Sequence, residues 1–171
     1  GEIVLIENNE LKSIKPFPPK KVRPCVFEYI YFSRPDSFLD NKTAYEHRKN
    51  LGKELAKEND INADIVVPVP DSGNAAALGF AQHLKLNFEL GLIRNHYVGR
   101  TFIEPSQKIR SLGVKLKLNA NQTTIKDKII ILIDDSLVRG TTSHKIVKML
   151  YDAGAKEVHV RIACPEIKYP D

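Results

Sequence analysis

The stretch IIILIDDSLVRGTTS, residues 129–143, runs five apolar residues into two acids, then a turn, then three hydroxyl side chains. A strand that is apolar on every residue leaves neither face for solvent, so it belongs inside a sheet covered on both sides. Asp134 and Asp135 stand side by side at its end and repel each other unless something cationic or hydrogen-bonding lies between them and the solvent. Gly140 lets the backbone turn tightly. Thr141, Thr142 and Ser143 then place hydroxyls and unpaired amide groups at a helix start, where the helix dipole favours a phosphate.

A phosphate close to two carboxylates makes sense when the ligand itself separates them. A sugar phosphate does so, with its phosphate on the helix N-terminus and its vicinal hydroxyls, or a bound Mg²⁺, at the acids. Adjacent residues of a strand point to opposite sides, so one carboxylate can meet the ligand while the other meets metal or fold. The plainer alternative is that Asp134 and Asp135 simply begin a loop and cap a helix.

Outward from this stretch the pattern is βαβ. Strands are expected at 64–69, near 88–93, at 128–134 and at 156–163, with helices at 73–84 and 141–152. Ala77, Phe80, Ala81 and Leu84 repeat along the first helix; Ile146, Val147 and Leu150 do so along the second, with Gly154 as its cap. TAYEHRKNLGKELAKE reads as an earlier helix, Thr43 and Glu46 having capping-box spacing and Ala44, Leu51 and Leu55 sharing a face. The fold class is therefore α/β, a parallel sheet flanked by helices. At the N-terminal end GEIVLI is strand-like, ENNEL a turn and KPFPPKKVRP a linker. CVFEYIYFSRPDS ends at a Pro-Asp turn, and its Tyr29, Tyr31 and Phe32 are expected in the core.

Ligands of open parallel sheets bind beyond the carboxyl ends of the strands. A second polar strand end, VVPVPDSGNAAA, breaks at Pro70 and leads through Asp71, Ser72 and Gly73 into a helix. The 171 residues carry a net charge of +5, and residues 94–128 alone hold eight basic residues against two acids. Such an excess suits a polyphosphate, an acidic surface or nucleic acid. No run is long enough for a membrane span and no secretory signal opens the chain. Cys25 and Cys164 lack metal-site or disulfide spacing, so reduced thiols and a cytoplasmic setting are expected. Neither G-x-x-x-x-G-K-[ST] nor a strand-following G-x-G-x-x-G is present, against P-loop and dinucleotide folds.

The 129–143 stretch resembles the phosphoribosyl-pyrophosphate (PRPP) motif of type I phosphoribosyltransferases. Together with CVFEYIYFSRPDS, VPVPDSG, RNHYVGRTFIEPSQKIRSLGVKLKLNA and AGAKEVHVRIACPEIKYP, it is similar to the amidophosphoribosyltransferase family over essentially the whole chain. The resemblance implies the type I fold with a flexible active-site loop at 94–118, and transfer of phosphoribosyl from PRPP to glutamine-derived ammonia at the start of purine synthesis. It implies that Asp134, Asp135 and Ser136 meet the ribose and Mg²⁺, and that Arg139, Gly140, Thr141, Thr142 and Ser143 cradle the 5′-phosphate. Asp71, Ser72 and Gly73 would form the pyrophosphate loop, with Ser72 helping to hold Mg²⁺, while Arg94, Tyr97 and Arg100 act on the substrate. Pyrophosphate as product, feedback by AMP and GMP, and a homo-oligomer are further implications.

By the same resemblance residues 1–24 are the end of a glutaminase domain plus linker, and 25–171 a phosphoribosyltransferase domain short of its C-terminal continuation. The family's glutaminase domain uses an N-terminal cysteine nucleophile, whereas this chain begins with Gly1, so no glutaminase activity is expected. Some members carry an iron–sulfur cluster with a cysteine where Asp171 stands; no cluster is expected. Cys164 reads as a buried strand residue. The five histidines are dispersed, His96 alone falling in the loop. Two rivals remain open: a non-catalytic PRPP-binding regulator of the same fold, and another type I phosphoribosyltransferase.

Overall fold

The computed structural model describes residues 1–96, 117–166 and 168. Most of the expected loop, Tyr97 and Arg100 included, lies outside the described residues, as does Asp171.

Strands β1 (Ile3–Glu7) and β2 (Glu10–Ile14) pair antiparallel, with all ten residues exposed. The turn is confined to Asn8 and Asn9, both at positive φ, so Glu10 and Leu11, expected in a turn, belong to the second strand. Asparagine tolerates the left-handed region, and two such residues make the tightest hairpin connection.

Glu28–Phe32 form one π-helical turn. Only Ile30 of that turn is buried, whereas Tyr31 and Phe32 are 56% and 69% exposed. This corrects the expectation of a core position for those two rings. A helical turn points successive residues around an axis, so a short apolar run sends some of them outward. The small hairpin β3 (Phe38–Leu39) and β4 (Lys42–Thr43) then leads into α1 (Ala44–Lys57). The capping box is present: the Thr43 hydroxyl accepts from the Glu46 amide at 3.2 Å, and the Glu46 carboxylate accepts from the Thr43 amide at 2.9 Å. The buried stripe of α1 is Ala44, Arg48, Gly52 and Ala56, with Leu51 and Leu55 only half-buried.

The central sheet contains β5 (Ile65–Pro68), β6 (Asn87–Phe88), β9 (Ile129–Asp134) and β10 (Glu157–Ile162), all parallel in the order β10-β9-β5-β6. Helix α2 (Asn74–Leu84) joins β5 to β6, and α4 (Thr141–Asp152) joins β9 to β10. The single strand expected near 88–93 is two. β6 ends at Phe88, and β7 (Leu92–Arg94) pairs antiparallel with β8 (Leu118–Ala120), which precedes the short α3 (Gln122–Ile125). Gly91 separates them where a Cβ would come within 2.8 Å of a Val67 methyl.

Alternation along β9 divides the core in two. Ile130 and Leu132 pack with Ile65, Val67, Ile146 and Leu150 on the α4 side. Ile131 and Ile133 pack with Val66, Ala77 and Phe80 on the α1–α2 side. Helices α1 and α2 meet backbone to backbone. A Cβ at Gly52 would lie 1.9 Å from the Ala76 carbonyl oxygen, and one at Gly79 1.9 Å from that of Lys49. No helix among the described residues is long and apolar enough to cross a membrane.

Candidate functional site

Strands β5 and β9 are neighbours in register, Pro68 opposite Ile133, so their carboxyl ends open at one place. The Val69 amide continues the ladder, donating to the Ile133 carbonyl at 2.8 Å. The chain then turns through Asp71, Ser72 and Gly73, the Pro70–Asp71 peptide being cis. Gly73 is required by contact: a Cβ there would sit 2.5 Å from the Ile133 carbonyl oxygen. The N-terminus of α2 is thereby pressed against the end of β9. The Ser72 hydroxyl lies in this turn and makes no hydrogen bond among the described residues.

At the end of β9 the acids follow the strand's alternation. Asp134 continues the α4 side and Asp135 the α1–α2 side, where it is buried. The Asp135 amide donates to Asp134 Oδ1 at 2.9 Å and the Ser136 amide to Asp135 Oδ1 at 2.7 Å. Their carbonyls accept from Ala163 and Cys164, at 3.0 and 2.8 Å, fixing the acid pair against the chain leaving β10. Burial first, and the adjoining Asp135 carboxyl second, push Asp134 up to about 7. Cys164 lies beyond the strand and is only half-buried, which corrects its expected place. Burial and the charge of Asp135 raise its thiol.

Between the acids and α4, Leu137, Val138 and Arg139 are exposed. Gly140 is the N-cap of α4 at φ +69°, with no side-chain cap and no acid in the first turn. Helix α1 closes its amides with a capping box; among the described residues α4 leaves those of Thr141, Thr142 and Ser143 without a side-chain acceptor, ready for an anion. Arg94 ends β7 and its Nη1 donates to the Asp71 carboxylate. The structure thus brings Asp71, Ser72, Gly73, Asp134, Asp135 and Ser136 to one end of the sheet, with Arg94 paired to that loop and Arg139–Ser143 continuing from the acids.

The donor set suits Mg²⁺. Two carboxylates and a hydroxyl are hard oxygen ligands, and Mg²⁺ is usually held by one or two carboxylates plus substrate phosphates. No cluster of three or more His, Cys, Asp or Glu residues fit for a metal occurs among the described residues, so such an ion would depend on ligand oxygens to complete its shell.

Arg48 was not singled out from the sequence. Its guanidinium is buried, donating from Nε to the Tyr29 carbonyl at 3.0 Å and from Nη2 to the Ser33 carbonyl at 2.7 Å. It ties the π-helical turn to α1. Burial lowers its pKa and the charge of Asp135 opposes that shift. The signal was present in the sequence, since Ala44, Gly52 and Ala56 surround position 48 at four-residue spacing and mark it as inward. Arg48→Met should cost about 2 kcal/mol in a urea titration, because two carbonyls lose their donor. Arg48→Lys, which keeps the charge but not the fork, should recover only part of that.

A model of the phosphoribosyl transferase domain matches residues 36–168. The chain is 55% identical to an amidophosphoribosyltransferase of Rhizobium etli, over 100% of this chain and 36% of that protein. It is 50% identical to a chloroplastic amidophosphoribosyltransferase of Glycine max, over 98% of this chain and 29% of that one. A solved structure described as glutamine PRPP amidotransferase from B. subtilis, complexed with ADP and GMP, superposes with a TM-score of 0.83 at 49% identity, covering 100% of this chain and 38% of the other. The chain therefore spans between 29% and 38% of the length of these relatives.

Proposed function

Because the chain belongs to the phosphoribosyl transferase domain family, we propose that the shared end of β5 and β9 binds PRPP and transfers its phosphoribosyl group to ammonia. The C1–O bond to pyrophosphate breaks, a C1–N bond forms and one proton leaves the nitrogen, giving 5-phosphoribosylamine and pyrophosphate. This is the phosphoribosyl half of the reaction that opens purine synthesis.

The observation that carries this reading is the juxtaposition of an acid pair with two helix N-termini at one sheet end. The uncapped amides of Thr141, Thr142 and Ser143 take the 5′-phosphate, with Arg139 and Gly140 shaping the turn. Asp134 and Asp135 accept hydrogen bonds from the ribose hydroxyls. The Ser72 hydroxyl and Arg94 face the pyrophosphate, on a turn that Gly73 closes by donating its amide to the Val69 carbonyl at 2.9 Å; negative charge grows there as C1 acquires oxocarbenium character. Mg²⁺ held by Asp134, Asp135, Ser72 and substrate oxygens would neutralise charge on the leaving group. A general base is not demanded, since ammonia is already nucleophilic. Tyr97 and Arg100 belong to the reading by resemblance alone.

AMP and GMP carry the same ribose 5′-phosphate and would compete for the α4 N-terminus; the B. subtilis relative is described with ADP and GMP bound. The test is pyrophosphate release from PRPP by the intact chain, with Mg²⁺ and ammonium chloride at a pH high enough for NH₃ to predominate over NH₄⁺. Ammonia-dependent release is expected. PRPP binding without any release would instead favour a PRPP-binding regulator of the same fold.

A further inference from the structure

We propose that Asp71 is a positioning residue for Arg94, its carboxylate holding the guanidinium in the place that a ligand's pyrophosphate oxygen takes over. The inference rests on the reading of the β5–α2 loop as a pyrophosphate site. Arg94 is the last residue of β7 and pairs with Leu118, the first of β8. It therefore stands at the neck of the segment between those strands, which the Asn95 amide also closes by donating to the Lys117 carbonyl at 2.7 Å. Asp71 reaches this neck from the loop after β5. The ion pair thus joins the two chain segments that flank the site.

The pair is built to be exchanged. The Arg94 and Asp71 side chains are 42% and 49% exposed, so water screens their attraction and its rupture costs little. A carboxylate offers one negative charge, whereas pyrophosphate offers more charge and several oxygens to the guanidinium fork. Asp71 and the anion therefore compete for the same guanidinium. Removing the carboxylate should therefore have opposite effects on two quantities. Binding of the anion alone should tighten, and turnover of PRPP should fall because Arg94 is no longer held at the site edge.

The experiment is a double-mutant cycle on the intact chain, titrated calorimetrically with inorganic pyrophosphate in Mg²⁺-free buffer. Asp71→Asn should bind about fivefold more tightly than wild type, the scale of a half-exposed ion pair. In an Arg94→Met background most of that gain should vanish. An equal gain in both backgrounds means general repulsion and overturns the proposal; weaker binding by Asp71→Asn overturns it too, since Asp71 then contacts the ligand. With PRPP and ammonia, Asp71→Asn should lower kcat more than it raises KM, and an unchanged kcat contradicts the positioning role. A ligand-independent arm separates this proposal from the functional reading. Hydrogen exchange at the Asn95 amide should speed up about equally in Asp71→Asn and Arg94→Met, and unaltered exchange in both overturns the ion pair's role. Wild-type protein that binds neither pyrophosphate nor PRPP overturns the functional reading instead, and the exchange arm still decides the ion pair.

Discussion

Asp134→Asn is expected to make the ligand-free protein more stable above pH 7 while cutting its affinity for PRPP by roughly a hundredfold, the loss of a charged acceptor from a half-buried site. Burial and the Asp135 carboxyl raise Asp134 from 3.8 to about 7. Between about pH 4 and 7 the folded chain keeps a proton that the unfolded chain has released. Stability therefore declines as pH rises through that window, and the full deficit stands above pH 7. Asparagine cannot ionise, so the variant should match wild type at pH 4. At pH 8 it should exceed wild type by on the order of 2 kcal/mol, partial exposure screening some of the repulsion. Asp135→Asn should lose PRPP affinity similarly but gain no stability, because the buried Arg48 guanidinium then lacks the opposing charge that acts on it. Urea titrations at pH 4, 6 and 8, with calorimetry of PRPP and Mg²⁺, check both halves.

The second large effect lies beneath the site. Gly79→Ala and Gly52→Ala each drive a methyl to 1.9 Å from a backbone oxygen of the facing helix, and a backbone oxygen cannot swing aside. Helices α1 and α2 must separate, at a cost of about 3 kcal/mol or more. The double variant should cost less than the sum, since one separation makes room for both methyls. PRPP affinity should fall as well, because α2 carries the Asp71–Gly73 loop at its N-terminus. At Gly140 a Cβ would meet no atom within 4 Å among the described residues beyond its chain neighbours. Alanine there should cost only the left-handed strain, about 1 kcal/mol. Denaturant midpoints of the three single variants separate overpacking from backbone strain.

The parallel sheet and its helices were legible because β5 is apolar throughout, β9 is apolar up to its final Asp134, and the helices repeat at helical spacing. The acids, the glycine turn and the hydroxyl run were legible because their chemistry is local to one strand end. What escaped depends on contacts distant in sequence. The split of 88–93 into β6 and β7 follows from the pairing of β7 with β8, more than twenty residues downstream. The outward Tyr31 and Phe32 follow from a π-helical turn that composition does not announce. The Asp71–Arg94 pair joins the loop after β5 to the end of β7, and Arg48, marked as inward by its four-residue spacing, takes its role only from the carbonyls it reaches. Most of the expected loop, Tyr97 and Arg100 included, lies outside the described residues.

The central claim is that one sheet end, the shared carboxyl terminus of β5 and β9, takes PRPP. The opposite end offers a competing location, an open cleft of about 440 Å³ lined by Asp64, Asn87, Glu89, Thr123, Thr124 and Lys128. Backbone amide chemical shifts recorded during titration with PRPP and Mg²⁺ distinguish the two directly. The account predicts saturable shifts at Ser72, Gly73, Asp135, Ser136 and Gly140–Ser143, with Asp64, Thr123 and Lys128 unmoved. Shifts concentrated at Asp64, Glu89 and Lys128, with the amides of 134–143 silent, would contradict it.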